Sequence, residues 1–263
     1  MNDTILNSND SDQTEERLIY ESSSSQIQQR FDLRSAASQI AYPIVSAIVN
    51  SINLNKGSID SQAVYDTIDF IYTDLISSEN NQKLPEPKGE YFDALPDVEF
   101  HFLIKSADHS DVDAGYLHSD DFEDEGIIEI ILHMPKDLRD LKPFLTTLPM
   151  EIRAALAHEM QHSIQRVIYG YPLDDVTNAD LYTHMSSPME IDARVEENIA
   201  YLEDNVNEDN LEKFINTLSV YVEKYLARNA LDATEEELGV YKSRMMDSHT
   251  SRYIEKMGLT KVV

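Results

Sequence analysis

The five residues His158-Glu159-Met160-Gln161-His162 constrain this chain more than any other stretch. They spell H-E-x-x-H inside a segment that reads as a helix, without internal proline or glycine around the motif. A spacing of four puts both imidazoles on one helical face, about one turn apart. Two neutral ring nitrogens at that separation can hold one Zn²⁺. The Glu159 carboxylate then projects beside the metal, where it can take a proton from a bound water. A catalytic zinc normally has three protein ligands, so a second element must pack alongside this helix and bring the third. H-E-x-x-H also arises by chance, and two histidines so spaced can be merely solvated or hydrogen-bonded side chains.

The segment Ser187 to Arg194 supplies the candidate third ligand. Glu190 lies 28 residues after His162 (190 minus 162), room enough for the chain to turn back. At about 100° per residue, Ile191, Val195, Ile199 and Leu202 form one apolar stripe of a helix spanning Pro188 to Asp204. Glu190, Ala193, Glu197 and Tyr201 share roughly the opposite side. The expectation is a helix covered twice, its aliphatic stripe by C-terminal helices and its other side by the H-E-x-x-H helix. Ala193 is small enough to let the two backbones approach. Asp192 competes as a ligand but points to neither centre, which suits a contact with solvent or with the back of a ligand. Ser187-Pro188-Met189-Glu190 is also a capping box, and capping alone would account for a glutamate at 190.

H-E-x-x-H followed by E-x-x-A on a later helix resembles the gluzincin branch of zinc metallopeptidases, especially its compact bacterial and phage-type members. The matching residues are His158, Glu159, His162, Glu190 and Ala193. The resemblance implies that His158, His162 and Glu190 bind zinc and that Glu159 is the general base of peptide-bond hydrolysis. It also implies a zincin-like α+β fold, a small mixed sheet packed on the H-E-x-x-H helix, with the zinc in a cleft beside the edge strand. It covers about residues 96 to 205. Several members carry Asp or Asn directly after that alanine, where this chain has Arg194. The hydrogen bond such a residue gives to a histidine ligand is then left to Asp192, Glu196 or a backbone carbonyl. The third histidine of metzincins is absent after Ser163-Ile164-Gln165.

A tetrahedral oxyanion needs a donor besides the metal. Tyr169, Tyr171, Tyr182 and His184 lie on the segment most able to reach the cleft, and Tyr182 and His184 are the preferred pair. Each of them also reads as a packing or surface residue. The strand Ile127 to Met134 is expected to offer an open edge to an extended peptide. His101, His109, His118, His133 and His249 show no ligand spacing and read as structural or solvent-facing.

Around this core the organisation is mostly helical. Residues 1–28 are polar and of low complexity, with the run Ser22 to Ser25, and read as a disordered tail. Residues 29–82 hold two helices, from Phe31 to about Asn53 and from about Ser61 to Ser77. Pro43 should kink the first or start a new segment. Pro85 to Gly89 breaks the chain. Strands are expected at Val98 to Ile104, more weakly at Ala114 to His118, and most clearly at Ile127 to Met134. The acidic loop Asp120 to Gly126 lacks the pattern of an EF-hand and reads as a solvated turn. The H-E-x-x-H helix is expected to begin near Pro149 and to run to about Ile168, ending at Gly170-Tyr171-Pro172. Residues 206–263 form two more helices, Asn207 to Arg228 and Thr234 to Met257, with Thr234 and Glu237 at capping-box spacing.

Charge and cysteine usage narrow the partners. Forty-nine acidic residues face 21 basic ones, a net charge of -28, which would repel nucleic acid and anionic membranes. A peptide or protein substrate stays open, as does the oligomeric state. The absence of cysteine rules out disulfides and thiolate metal sites and fits a reducing compartment. There is no run of 18 apolar residues, and Met1-Asn2-Asp3-Thr4 does not open a signal peptide, so the expected location is cytoplasmic. The leading expectation is a zinc peptidase. Two others stand beside it: a metal-bearing structural or assembly protein without turnover, and an acidic interaction protein in which the histidine pair is accidental.

Overall fold

The most regular alternation in the chain becomes its central strand. β3 (Gly126–Met134) buries every second residue, Ile128, Ile130, Leu132 and Met134 among them. β1 (Val98–Ser106) pairs with it in parallel and β2 (Asp111–His118) antiparallel, in the order β1-β3-β2. The chain thus passes from one edge of the sheet to the other before filling the middle. Both sides of β3 are taken, so the expectation that it offers an open edge is corrected. Alternating burial shows that a strand is covered on a face but not which strands flank it. Gly126 has a steric reason: a Cβ there would come within 2.5 Å of the Tyr116 ring on the neighbouring strand.

The computed structural model describes residues 31–55, 57–68, 88–95, 98–118, 126–135, 142–170, 187–201, 208–229 and 234–258. The elements named here belong to one unit, Asp32–Val263. The expected tail at 1–28, the acidic loop before Gly126 and the second half of the helix from Ser61 lie outside the described residues. Those residues form a mixed α+β architecture of seven α-helices and one three-stranded sheet. None of the helices is long and apolar enough to cross a membrane.

α1 (Leu33–Leu54) is capped by Asp32, whose side chain accepts from Ser35 N–H. It runs through Pro43 without starting a new segment. An interior proline costs about 3 kcal/mol. Burial of Ile40, Ile44 and Ile48, each about 1.5–3 kcal/mol, exceeds that. α2 (Ser61–Ile68) and α3 (Glu90–Ala94) follow.

α4 (Lys142–Ser163) carries H-E-x-x-H. It begins well before Pro149, which sits inside it. Leu148, Ile152 and Leu156 are fully buried on either side of that proline, and their burial outweighs the preference of proline for a first turn. The chain then widens into a π-helical stretch, Ile164–Ile168, and leaves the helix at Gly170 with φ 66°. α4 packs on α1, β2 and β3 and on α5 (Pro188–Tyr201).

α6 (Glu208–Asn229) and α7 (Glu235–Lys256) complete the fold. Both bonds of the Thr234–Glu237 capping box are made. Val195 and Ile199 of α5 enter a core with Phe214, Leu218, Met245 and Tyr253. Phe214 and Tyr253 stack at 3.9 Å. The aliphatic stripe of α5 therefore meets the C-terminal helices, as expected for Val195 and Ile199, while its opposite side faces α4.

Candidate metal centre

α4 contributes two imidazoles and α5 one carboxylate to a single point. His158 Nε2 and His162 Nε2 lie 3.1 Å apart. Glu190 Oε2 lies 3.6 Å from the first and 3.4 Å from the second. Metal–ligand bonds of about 2.0–2.1 Å at the tetrahedral angle place donor atoms about 3.3 Å apart. The three observed separations bracket that value. Among the described residues this is the group whose donor atoms can hold a metal ion.

The far nitrogen of each ring faces a side-chain oxygen. Glu197 Oε2 lies 3.2 Å from His158 Nδ1, an ion-pair distance off the hydrogen-bond line. Gln165 Oε1 lies 2.9 Å from His162 Nδ1. The Gln165 oxygen is an acceptor within hydrogen-bond distance, which sets the hydrogen of a neutral His162 ring on Nδ1 and the lone pair on Nε2. With Glu190 Oε2, three possible metal-ligand atoms face one another. Two nitrogens and a carboxylate oxygen also form a donor set that zinc accepts.

The electrostatics point the same way. Burial and the Arg194 guanidinium oppose a charged His158 ring, yet Glu190 and Glu159 outweigh them and raise its pKa to about 9. Burial would push the Glu190 carboxyl up, but Arg194 and His158 hold it well below the usual range. Glu197 is likewise lowered, against its burial, by Arg194 and His158.

Arg194 joins the two glutamates. Its Nε donates to Glu190 Oε1 at 2.7 Å and its Nη1 to Glu197 Oε2 at 2.6 Å. The Glu190 carboxylate is therefore divided, one oxygen toward the guanidinium and one toward the imidazoles. Ser187 Oγ still accepts from Glu190 N–H at 3.2 Å, so the serine half of the capping box coexists with the inward carboxylate. Glu159 is nearly buried, with Oε1 4.0 Å from His158 Nε2, beside the donors rather than among them.

The partners that orient the histidines differ from those expected. Asp192 and Glu196 reach α7, where Asp192 Oδ1 lies 2.5 Å from Arg252 Nε and Glu196 Oε1 lies 2.9 Å from Lys256 Nζ, while Asp192 Oδ2 accepts from Gln161 Nε2 of α4 at 3.3 Å. Asp192 is buried rather than solvated, because two cations of α7 reach it. Gln165 is within hydrogen-bond distance of His162 Nδ1, and Glu197 faces His158 Nδ1 at ion-pair distance. The signal for Glu197 was its place on the Glu190 face, two turns on, and for Gln165 its position one turn past His162. Tyr171, Tyr182 and His184 lie outside the described residues. Tyr169 closes the π-helical stretch. His101, His109 and His133 pair with nearby carboxylates, and His249 is buried with Nδ1 2.7 Å from the Met245 carbonyl. These four agree with structural or solvent-facing roles. No protein family, curated protein or solved structure matches this chain.

Proposed function

We propose that this protein is a zinc-dependent peptidase of the gluzincin type with a zincin-like core, acting on peptides or proteins. One observation carries the reading: His158, His162 and Glu190 converge from two helices, with the Glu159 carboxylate beside them. Zinc held by His158, His162 and Glu190 would supply Lewis acidity, polarising a carbonyl and lowering the pKa of water toward about 7. Glu159 takes the proton of the attacking water and delivers it to the leaving nitrogen. Its carboxylate is buried, with Oε1 4.0 Å from His158 Nε2, beside the proposed ligands. An extended substrate adds along β2, an edge strand that packs on α4. Tyr182 and His184 are retained as oxyanion donors on the segment that follows α4. The chain has no cysteine, which suits a reducing, cytoplasmic setting.

A metal-bearing assembly protein without turnover is the second reading. The near-complete burial of His158, Glu159 and Glu190 favours it, because a closed site suits a structural ion. Elemental analysis of protein purified without added metal tests the centre itself, with about one zinc per chain expected. A fluorescent peptide library, with and without a chelator, separates the two readings. Glu159→Gln is expected to retain zinc and to lose at least about 100-fold in turnover. Hydrolysis by Glu159→Gln at the parent rate would remove the general-base role.

A further inference from the structure

Gln165 is a polar side chain sealed in the interior, 1 % exposed, in the π-helical stretch one turn past His162. Its amide oxygen lies 2.9 Å from His162 Nδ1, and its amide nitrogen lies 3.0 Å from the backbone carbonyl of Met189. Only one orientation of the amide satisfies both contacts. A carbonyl oxygen can only accept, so the NH₂ group must face Met189. The amide oxygen therefore faces His162, and Nδ1 must be the donor. That leaves Nε2 with its lone pair toward Glu190 Oε2 and His158 Nε2. A backbone carbonyl on α5, one residue before Glu190, thus dictates the tautomer of a histidine on α4 through a single side chain.

We propose that Gln165 is a positioning residue of the metal centre, locking His162 in the Nδ1–H tautomer while tying the start of α5 to the helix that carries the histidines. The inference rests on the metal-centre reading. Left to itself, a neutral ring samples both tautomers, and the Nε2–H form cannot ligate through Nε2. The same amide restrains the residue preceding the third ligand, so its loss loosens two of the three donors together. Partners of this kind are worth about 10–100-fold in metal affinity.

Two variants separate the functions. Gln165→Met removes both bonds, whereas Gln165→Glu keeps an acceptor for Nδ1 and loses the donor to Met189. The readouts are zinc affinity, by competition with a chromogenic chelator, and long-range ¹⁵N–¹H NMR of the histidine rings in metal-free protein at alkaline pH. The parent is expected to show His162 as Nδ1–H. Gln165→Glu should keep that signature, and Gln165→Met should show mixed tautomers and about 10–100-fold weaker zinc binding. A parent ring with hydrogen on Nε2 would overturn the proposal, and so would parent-like zinc affinity in Gln165→Met. If the Met variant does not fold, the parent and Glu signatures still decide. Absence of zinc binding by the parent would remove the metal centre, while a matched Gln165→Met affinity would remove only the lock.

Discussion

Helix α5 presents buried charge toward α4 and toward α7, and the two clusters balance differently. Toward α7, Asp192 and Glu196 meet Arg252 and Lys256, two carboxylates against two cations. Burial presses Lys256 toward neutrality, but Glu196 and Asp192 outweigh it and raise its pKa. Toward α4, the contacts seen among the described residues gather Glu159, Glu190 and Glu197 around the imidazoles with one guanidinium, Arg194. Around the imidazoles these contacts set three carboxylates against one guanidinium, an acidic surplus that a proton on His158 or a divalent cation would reduce. One side of α5 therefore carries a network of ion pairs, and the other gathers donor atoms that could hold a metal ion.

The largest effect should come from the unbalanced side. Glu190→Gln keeps the shape of the side chain, removes a ligand charge and leaves Arg194 facing one carboxylate fewer. Its zinc affinity should fall by more than the roughly 100-fold that loss of an outer partner costs, as read by chelator competition. Retention of parent affinity would mean that the three donors do not act on one ion.

On the balanced side the loss should appear in folding instead. Asp192→Asn leaves Arg252 and Lys256 facing one charge fewer in the interior. Denaturant unfolding should show a loss of about 3–5 kcal/mol, with unchanged zinc per folded chain. A fall in zinc content without a fall in stability would reverse the roles of the two networks.

A smaller, pH-dependent effect belongs to His249 on α7. Burial lowers its pKa to about 4; the Met245 carbonyl opposes the shift and Arg194 adds to it. The unfolded ring binds a proton near 6.5 and the folded ring does not. Between those values the unfolded state holds more protons, so stability rises with pH there. The contribution is complete above about pH 6.5 and is lost as pH falls toward 4, at most about 3 kcal/mol. Unfolding curves at pH 7 and 5 should differ, and His249→Gln should flatten the difference. An equal pH slope in that variant would assign the effect to another group.

Much of the candidate site was legible because helical spacing is local. Positions 158 and 162 share a face by the repeat of the helix, and the same arithmetic set Glu190, Ala193 and Glu197 opposite Val195 and Ile199. The Thr234–Glu237 cap was legible for the same reason. Pro149 misled, because a local rule about a missing N–H was overridden by burial of Leu148, Ile152 and Leu156 beside it. Strand β3 was legible as an element but not as the middle of its sheet.

Residue types and their periodicity were enough to establish a helix bearing two imidazoles and a general-base candidate, and a second helix bearing a carboxylate on the matching side. Those are properties of a few consecutive turns, where covalent geometry dictates direction. The partners came only from packing. Arg252 lies 60 residues beyond Asp192, and the Met189 carbonyl lies 24 residues beyond Gln165. Which charge is neutralised, which nitrogen keeps its hydrogen and which strand forms an edge depend on contacts between distant segments. Such contacts leave no periodic trace in the chain, because their energy is decided by burial and by the neighbour each group meets once the helices and the sheet have come together.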